Sequence, residues 1–279
     1  MKKKFNALTL EEEHVIIDKG TEKPFSGKYT THVQDGVYVC KQCDAQLYLA
    51  AHKFPSSCGW PSFDDEIPGA IRRKIDADGR PEIVCSQCDG HLGHVFEGEH
   101  LTPKNIRHCV NSISMNFMKK AYFAGGCFWG IEHLMQQQNG VLTVVSGYMG
   151  GHVEHPTYNQ VCQNDTGHVE AVEVLYHSNQ VTYETLGKLF FEIHDPTQHD
   201  GQGPDKGNQY ASVIFYSDDE EKQTAEYLIK KLIKSGLSIS TKIMPVQIFW
   251  KAEESHQNYY EKHHKAPHCH RYQKRFFDE

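Results

Sequence analysis

Apolar and polar positions change character near the middle of the 279-residue chain. Up to about residue 118 the apolar positions come in short runs, such as GVYVC (36–40) and RPEIVC (80–85), separated by turn residues. That pattern predicts strands and few helices. One helix start stands out there, Thr9-Leu10-Glu11-Glu12, where the threonine and the glutamate three residues on can cap each other. From about 119, strand-like and helix-like segments alternate. KKAYFAGG precedes a helix from Cys127, EAVEVLY precedes one near 183–193, and ASVIFY precedes one near 218–234. Ser217 and Glu220 have capping-box spacing, Ile229, Leu232 and Ile233 form an apolar stripe, and Ser235-Gly236 closes it. MPVQIFW (244–250) and AEESHQNYYEKHH (252–264) predict a last strand and helix. The expected architecture is two domains, the N-terminal one mainly β with antiparallel sheets, the C-terminal one α/β with helices covering a sheet. No Pro/Gly/Ser-rich linker marks the join around Met118-Lys119-Lys120, so the two domains are expected to abut.

Composition narrows the function. With 29 Lys+Arg against 36 Asp+Glu the net charge is −7, which lacks the cationic excess of a nucleic-acid binder. The basic start MKKKFNALTLEEEHVIIDKG runs into LEEEH where a secretory signal needs an apolar stretch, and is read as unprocessed. No window approaches the roughly 18 apolar residues of a membrane span, so a cytoplasmic, reducing setting is expected. There, nine Cys and nineteen His point to ligands and redox catalysts more than to structural disulfides.

Cys40-Lys-Gln-Cys43 and Cys85-Ser-Gln-Cys88 are two knuckles with residues 44–84 between them. Each places two thiolates within reach of one ion, and together they complete the closed S₄ shell of a structural zinc site, with iron as the alternative by ligand type. Three further cysteines sit in short polar–aromatic motifs: Cys58 in SSCGWPSF (56–63), Cys109 in RHCVNS (107–112) and Cys127 in GGCFWG (125–130). Cys127 opens a helix after a strand, so the helix dipole and free amides are expected to lower its pKa. Phe128 and Trp129 supply an aromatic wall for an apolar ligand, or else plain core. Cys109, between Arg107-His108 and Asn111, has a cationic setting that is also expected to favour thiolate.

Several ordered motifs together resemble a known family. GGCFWG, GHVEAVEV (167–174), HDPTQ (194–198) and GPDKGNQYAS (203–212) resemble peptide-methionine sulfoxide reductase type A, over residues 120–279. SSCGWPSF, GHLGHVF (90–96) and RHCVNSISMNF (107–117), with the paired knuckles, resemble type B, over residues 5–117. The resemblance implies a type B–type A fusion that reduces methionine sulfoxide, free or in proteins, the type B domain on the R epimer and the type A domain on the S epimer. In the type A half it implies Cys127 as nucleophile, Glu170 as acid, Tyr158, Tyr210 and Asp205 around the sulfoxide oxygen, and Phe128 and Trp129 around the S-methyl. The acid role requires Glu170 to be protonated, hence a raised pKa. In the type B half it implies Cys109 as nucleophile, His91 and His94 as acids, Arg107 and Asn111 as polarising groups, and Trp60 on the methyl. For the two histidines, lying close behind Cys88, a place beside the metal is the alternative.

Each sulfenic acid then needs a second thiol, giving a disulfide that thioredoxin reduces. Cys58 matches the type B partner. In the type A half Cys269 in APHCHRY is favoured over Cys162 in NQVCQN, which is expected to be buried near the Glu170 strand. His263, His264, His268 and His270 around Cys269 are read as a solvated polar face, with a metal site as the alternative. No organic cofactor is implied. Two positions depart from the family patterns: Ala211 stands where type A usually has Arg, and His108 where type B more often has Tyr.

Overall fold

The computed structural model describes residues 5–76, 79–163 and 165–277, and the chain divides into two compact units, Met1–Lys119 and Lys120–Glu279. The first begins with helix α1 (Leu10–Ile16), whose capping box forms as its sequence requires: the Glu12 amide donates to Thr9 Oγ1 and the Thr9 amide to Glu12 Oε2. Its apolar end, Val15 and Ile16, is buried. A six-stranded antiparallel sheet follows, in the order Lys53–Phe54, Ser62–Phe63, Ile106–Val110, His91–Glu97, Pro81–Cys85, Ile71–Ile75. The outer strand Ile71–Ile75 carries Arg72, Arg73 and Lys74, charges of the kind that discourage a further strand from pairing. Val37–Cys40 pairs with Gln46–Leu49 on one side and with residues 115–118 on the other. The core between them is aromatic: Tyr48 stacks on Phe63 with ring centroids 4.2 Å apart, and Tyr38 meets Phe63 edge-on.

The second unit starts within the strand Met115–Gly125, whose residues 122–125 pair antiparallel with Ser212–Phe215. Its strands run Lys242–Pro245, Ser212–Tyr216, Met115–Gly125, Val169–Tyr176, Val141–Met149, Trp250–Lys251, and the first two pair in parallel. Helices α2 (Phe128–Met135), α3 (Tyr158–Cys162), α4 (Tyr183–Ile193) and α5 (Asp219–Lys234) accompany the sheet, with α4 packed between α2 and α5. Phe190, Phe191, Leu228 and Leu232 bury their side chains with Phe123, Val172 and Val174 of the sheet. Fully burying one such side chain stabilises by about 1.5–3 kcal/mol. No helix among the described residues is long and apolar enough to cross a membrane.

Three local expectations change. Helix α5 is capped one residue later than its spacing suggests: Asp218 accepts from the Glu221 amide, and Glu221 takes the Ser217 amide. An aspartate competes well with the serine for that position, because both accept from the N3 amide. On α5 the buried face is Ala225, Leu228 and Leu232, while Ile233 is exposed. The segment 244–264 is neither one strand nor one helix. It forms Lys242–Pro245, Trp250–Lys251, a turn, and a one-turn helix α6 (Tyr259–Lys262) entered through Asn258 in the left-handed conformation at φ 53°. The strand Val141–Met149 and helix α3 went unanticipated.

Leu228 is fully buried between α5 and α4. Leu228→Ala is expected to destabilise the second unit by about 2–5 kcal/mol, read as a fall in the midpoint of its denaturant unfolding, with an unchanged midpoint contradicting this packing.

Candidate active sites and metal centre

The two knuckles are built alike. Cys40 and Cys85 each end a strand, and each accepts at its carbonyl the amide of the aspartate after the second cysteine, Asp44 and Asp89, both at 2.9 Å. Both aspartates take positive φ, 56° and 61°, which turns the chain back so that two sulfurs face one point. The four sulfurs lie within 4.8 Å of one another, with Cys40 to Cys88 and Cys43 to Cys85 at 3.6 Å. A tetrahedron with metal–sulfur bonds of roughly 2.3 Å has edges of roughly 3.8 Å, so the donor set fits a zinc-sized ion.

The first unit also holds a cavity of about 100 Å³ lined by Thr21, Trp60, Arg80, Gly93, His94, Phe96, Cys109 and Asn111. Cys109 sits on the strand Ile106–Val110, opposite His94 on one side and Ser62 on the other. Its sulfur is 3.6 Å from Cys58. Asn111 is fixed from both ends, donating to the Leu92 carbonyl at 3.1 Å and accepting the Glu22 amide at 3.1 Å. The same short segment accepts the Trp60 indole N–H at the Glu22 carbonyl, 3.1 Å away, and so sets the ring against the cavity. His94 Nε2 lies 3.2 Å from Asp76.

Two expected site residues stand back from this cavity. His91 is buried, with Nδ1 2.7 Å from Glu82, which Lys19 also binds at 2.7 Å. Burial holds the His91 pKa below its usual value despite that carboxylate. Arg107 is clamped by Glu99 at 2.7 and 2.9 Å and lies over the Phe96 ring. The thiolate expected at Cys109 is therefore not favoured: burial and the neighbouring Cys58 push its pKa up to about 12, which Arg107 only partly offsets. At Cys58 burial is outweighed by hydrogen bonds from Ser56, Ser62 and the Trp60 backbone, and that thiol falls below its ordinary value. His108, the departure from the type B pattern, is buried, bonds Tyr48 at 3.1 Å, and is held down to about 4 by desolvation.

In the second unit a cavity of about 150 Å³ gathers Cys127, Phe128, Trp129, Tyr158, Glu170, Asp205, Tyr210, His268 and Cys269. Cys127 is the N-cap of α2, as its place after a strand and two glycines required. Gly126 has φ 92°, and a Cβ there would lie 2.3 Å from Gln202, so only glycine allows this entry. Glu170, on the strand Val169–Tyr176, accepts the Phe128 amide at 3.0 Å. Burial and the nearby Asp205 nevertheless raise it to about 8, the direction expected of it. The lowered pKa expected at Cys127 is overturned. Burial and the Glu170 charge raise it strongly, and the Trp129 amide at the helix start cannot compensate.

Cys269 reaches the cavity because His270 anchors the C-terminal segment: its Nε2 donates to the Gly125 carbonyl at 2.8 Å, and the ring sits where a Cβ on Gly130 would be, 2.1 Å from Nδ1. His270 is thus buried and not part of a solvated face, whereas His263, His264 and His268 are exposed. Among the described residues the paired knuckles are the only cluster with metal-ligand geometry. Cys269 is raised to about 12 by burial and a hydrogen bond to Asp205. Cys162, half-buried and not deeply buried as expected, ends α3 beside the Tyr158 hydroxyl and does not line the cavity. The turn 252–258 supplies residues that pattern reading missed. Glu253 accepts the Tyr158 amide and the Tyr148 hydroxyl, both at 2.9 Å, and His256 Nδ1 accepts the Trp129 indole N–H at 3.2 Å. Their one signal was a polar run dense in His and Tyr, which resembles a solvated helix equally well.

Two half-buried thiols, each at its own cavity with a second thiol at hand, have the arrangement of a thiol redox enzyme with two candidate sites. The family model described as "Peptide methionine sulfoxide reductase" matches residues 119–279, and the "SelR domain" model matches residues 8–119. The chain is 49% identical over 152 residues to the peptide methionine sulfoxide reductase MsrA of Acinetobacter baumannii (strain AYE), covering 54% of this chain and 88% of the relative. It is 51% identical over 148 residues to MsrA of Methanosarcina mazei, 52% of this chain and 70% of the relative. The crystal structure of Mxr1 from Saccharomyces cerevisiae in reduced form matches with a TM-score of 0.51 at 35% identity, over 55% of this chain and 89% of that one. The chain belongs to the peptide methionine sulfoxide reductase family, with a type B domain ahead of a type A domain, and it is an enzyme that reduces methionine sulfoxide.

Glu170 is expected to titrate near pH 8 when its carboxyl carbon is followed by NMR; a value near 4.5 would mean that the cavity is wetter than its walls indicate.

Proposed function

We propose that the two units divide the epimers of methionine sulfoxide, the first reducing the R epimer at Cys109 and the second the S epimer at Cys127, on free or peptide-bound substrate. In each case the sulfur attacks the sulfoxide sulfur, the oxygen passes to the cysteine as a sulfenic acid, and methionine leaves. A second thiol displaces that oxygen as water and forms a disulfide, which an external dithiol of the thioredoxin kind, available in the cytoplasm, reopens. The observation that carries this reading is the placement of one thiol pair at each cavity, Cys58 3.6 Å from Cys109, and Cys269 lining the same cavity as Cys127. Cys162 is left without a part in the cycle.

In the second unit the raised Glu170 is the acid that protonates the departing oxygen, with Tyr158 and Tyr210 as hydroxyl donors to it and Asp205 as their supporting carboxylate. Phe128 and Trp129 enclose the S-methyl, a contact worth on the order of 1 kcal/mol. In the first unit Trp60 takes the methyl, and His94, in the cavity wall, is better placed as the acid than His91, which orients behind it through Glu82. Asn111 holds the substrate side, and Arg107 stabilises negative charge on the Cys58–Cys109 pair from behind. The lowered pKa of Cys58 suits the thiolate that attacks a sulfenic acid at Cys109. Cys40, Cys43, Cys85 and Cys88 would hold zinc. Such an ion would crosslink strand ends far apart in sequence, and four thiolates would leave it no position for substrate.

With a dithiol and racemic methionine sulfoxide, Cys127→Ser is expected to abolish consumption of the S epimer alone and Cys109→Ser that of the R epimer alone; loss of both, or of neither, would sink the division. Reduction of the S epimer should be flat below about pH 8 and fall as pH rises through it, because Glu170 donates only while protonated. Chelation should release one zinc and lower the unfolding temperature of the first unit, leaving that of the second in place.

A further inference from the structure

Glu132 lies in α2 three residues after Trp129, is 1% exposed, and does not line the cavity. A carboxylate so buried needs donors. It finds them in the C-terminal segment: the Asn258 amide donates to Glu132 Oε2 at 2.9 Å, and the Tyr259 amide also faces the carboxylate. Gln136, one turn further along α2, donates to the Asn258 side chain at 2.8 Å, so one face of the helix grips this left-handed residue twice. The residue after it, Tyr259, lies flat on the Trp129 indole, with centroids 3.7 Å apart and planes 5° from parallel. On the indole's other side is His256, which stacks on it with centroids 5.7 Å apart and accepts its N–H at 3.2 Å.

We propose that Glu132 is a positioning residue for the second active site: its carboxylate seats the Asn258–Tyr259 backbone, which holds Tyr259 against Trp129 and so fixes the indole. The proposal rests on Trp129 being the wall of the methyl pocket. Cys127 and Glu170 are held by the start of α2 and by the Val169–Tyr176 strand, independently of this turn. Loosening the indole therefore weakens substrate binding and leaves the chemical step nearly intact. A carboxylate that only filled space in the core would give the opposite pattern, a loss of folded protein with an unchanged KM.

The test is steady-state kinetics on the full chain with the S epimer, R-epimer reduction by the same preparation serving as control. Glu132→Leu and Tyr259→Ala should each raise KM about tenfold with kcat within about threefold, the scale of losing one buried anchor. The double variant should be no worse than the poorer single one, because both act on one contact. Glu132→Gln, which keeps an acceptor for the Asn258 amide, should restore KM to within about threefold of the parent. Unaltered KM in Tyr259→Ala, or multiplying effects in the double variant, would overturn the proposal; where Glu132→Leu does not fold, Tyr259→Ala and Glu132→Gln still decide it. Trp129→Ala separates the premise: raised KM there with unaltered KM in Tyr259→Ala overturns the proposal alone, while unaltered KM in Trp129→Ala removes the methyl wall and the proposal with it.

Discussion

The hydrogen bond from the Phe128 amide to the Glu170 carboxylate joins the start of α2 to the strand Val169–Tyr176, and it brings the Cys127 thiol and the Glu170 carboxyl into the lining of one cavity. Burial there disfavours both anions; the Glu170 charge raises Cys127 further, and Asp205 raises Glu170 further. The surrounding architecture fixes the walls of this cavity: two glycines admit the helix start, His270 packs against Gly130, and the Trp129 indole leans on the turn 252–259.

The first unit meets the same desolvation with a different arrangement. Its two sulfurs face each other at 3.6 Å, and their surroundings push them apart in acidity. Hydroxyl donors lower Cys58, whereas burial and the neighbouring Cys58 raise Cys109. Arg107 was the obvious candidate to ionise Cys109 from its neighbouring place in the chain, yet it is paired with Glu99 at 2.7 Å and only partly offsets the burial of the thiol. Strand pairing supplies the rest of the precision: Cys109 stands opposite both His94 and Ser62, so the nucleophile, a candidate acid and a donor to Cys58 share one register. The metal-site knuckles lie at strand ends in the same unit, where a crosslink constrains a small β-rich domain most.

What was legible early has a common trait: it depends on neighbours in sequence. The Thr9 and Glu12 cap, the Cys127 helix start and the two knuckles are each set within five or six residues, so spacing alone exposes them. Ser217 shows the limit of that reading, because Asp218 beside it offered an equally good cap. The segment 252–264 shows another limit. Its helical periodicity was plausible, but Glu253, Gln257 and the Asn258 backbone are bonded to Tyr158, Ser146 and Glu132, which lie some 95–126 residues away, and those partners impose a turn.

Residue types and local spacing by themselves determined the two-domain plan, the cluster of four sulfurs, and the candidate thiols at each cavity. Tertiary structure decided how near the paired thiols lie, Cys58 in contact with Cys109 and Cys269 lining one cavity with Cys127, and which way their proton equilibria move. The physical reason is that ionisation in a cavity is governed by desolvation and by charges brought in from distant strands. A helix dipole or an adjacent arginine, visible in sequence, is the smaller effect once water is gone.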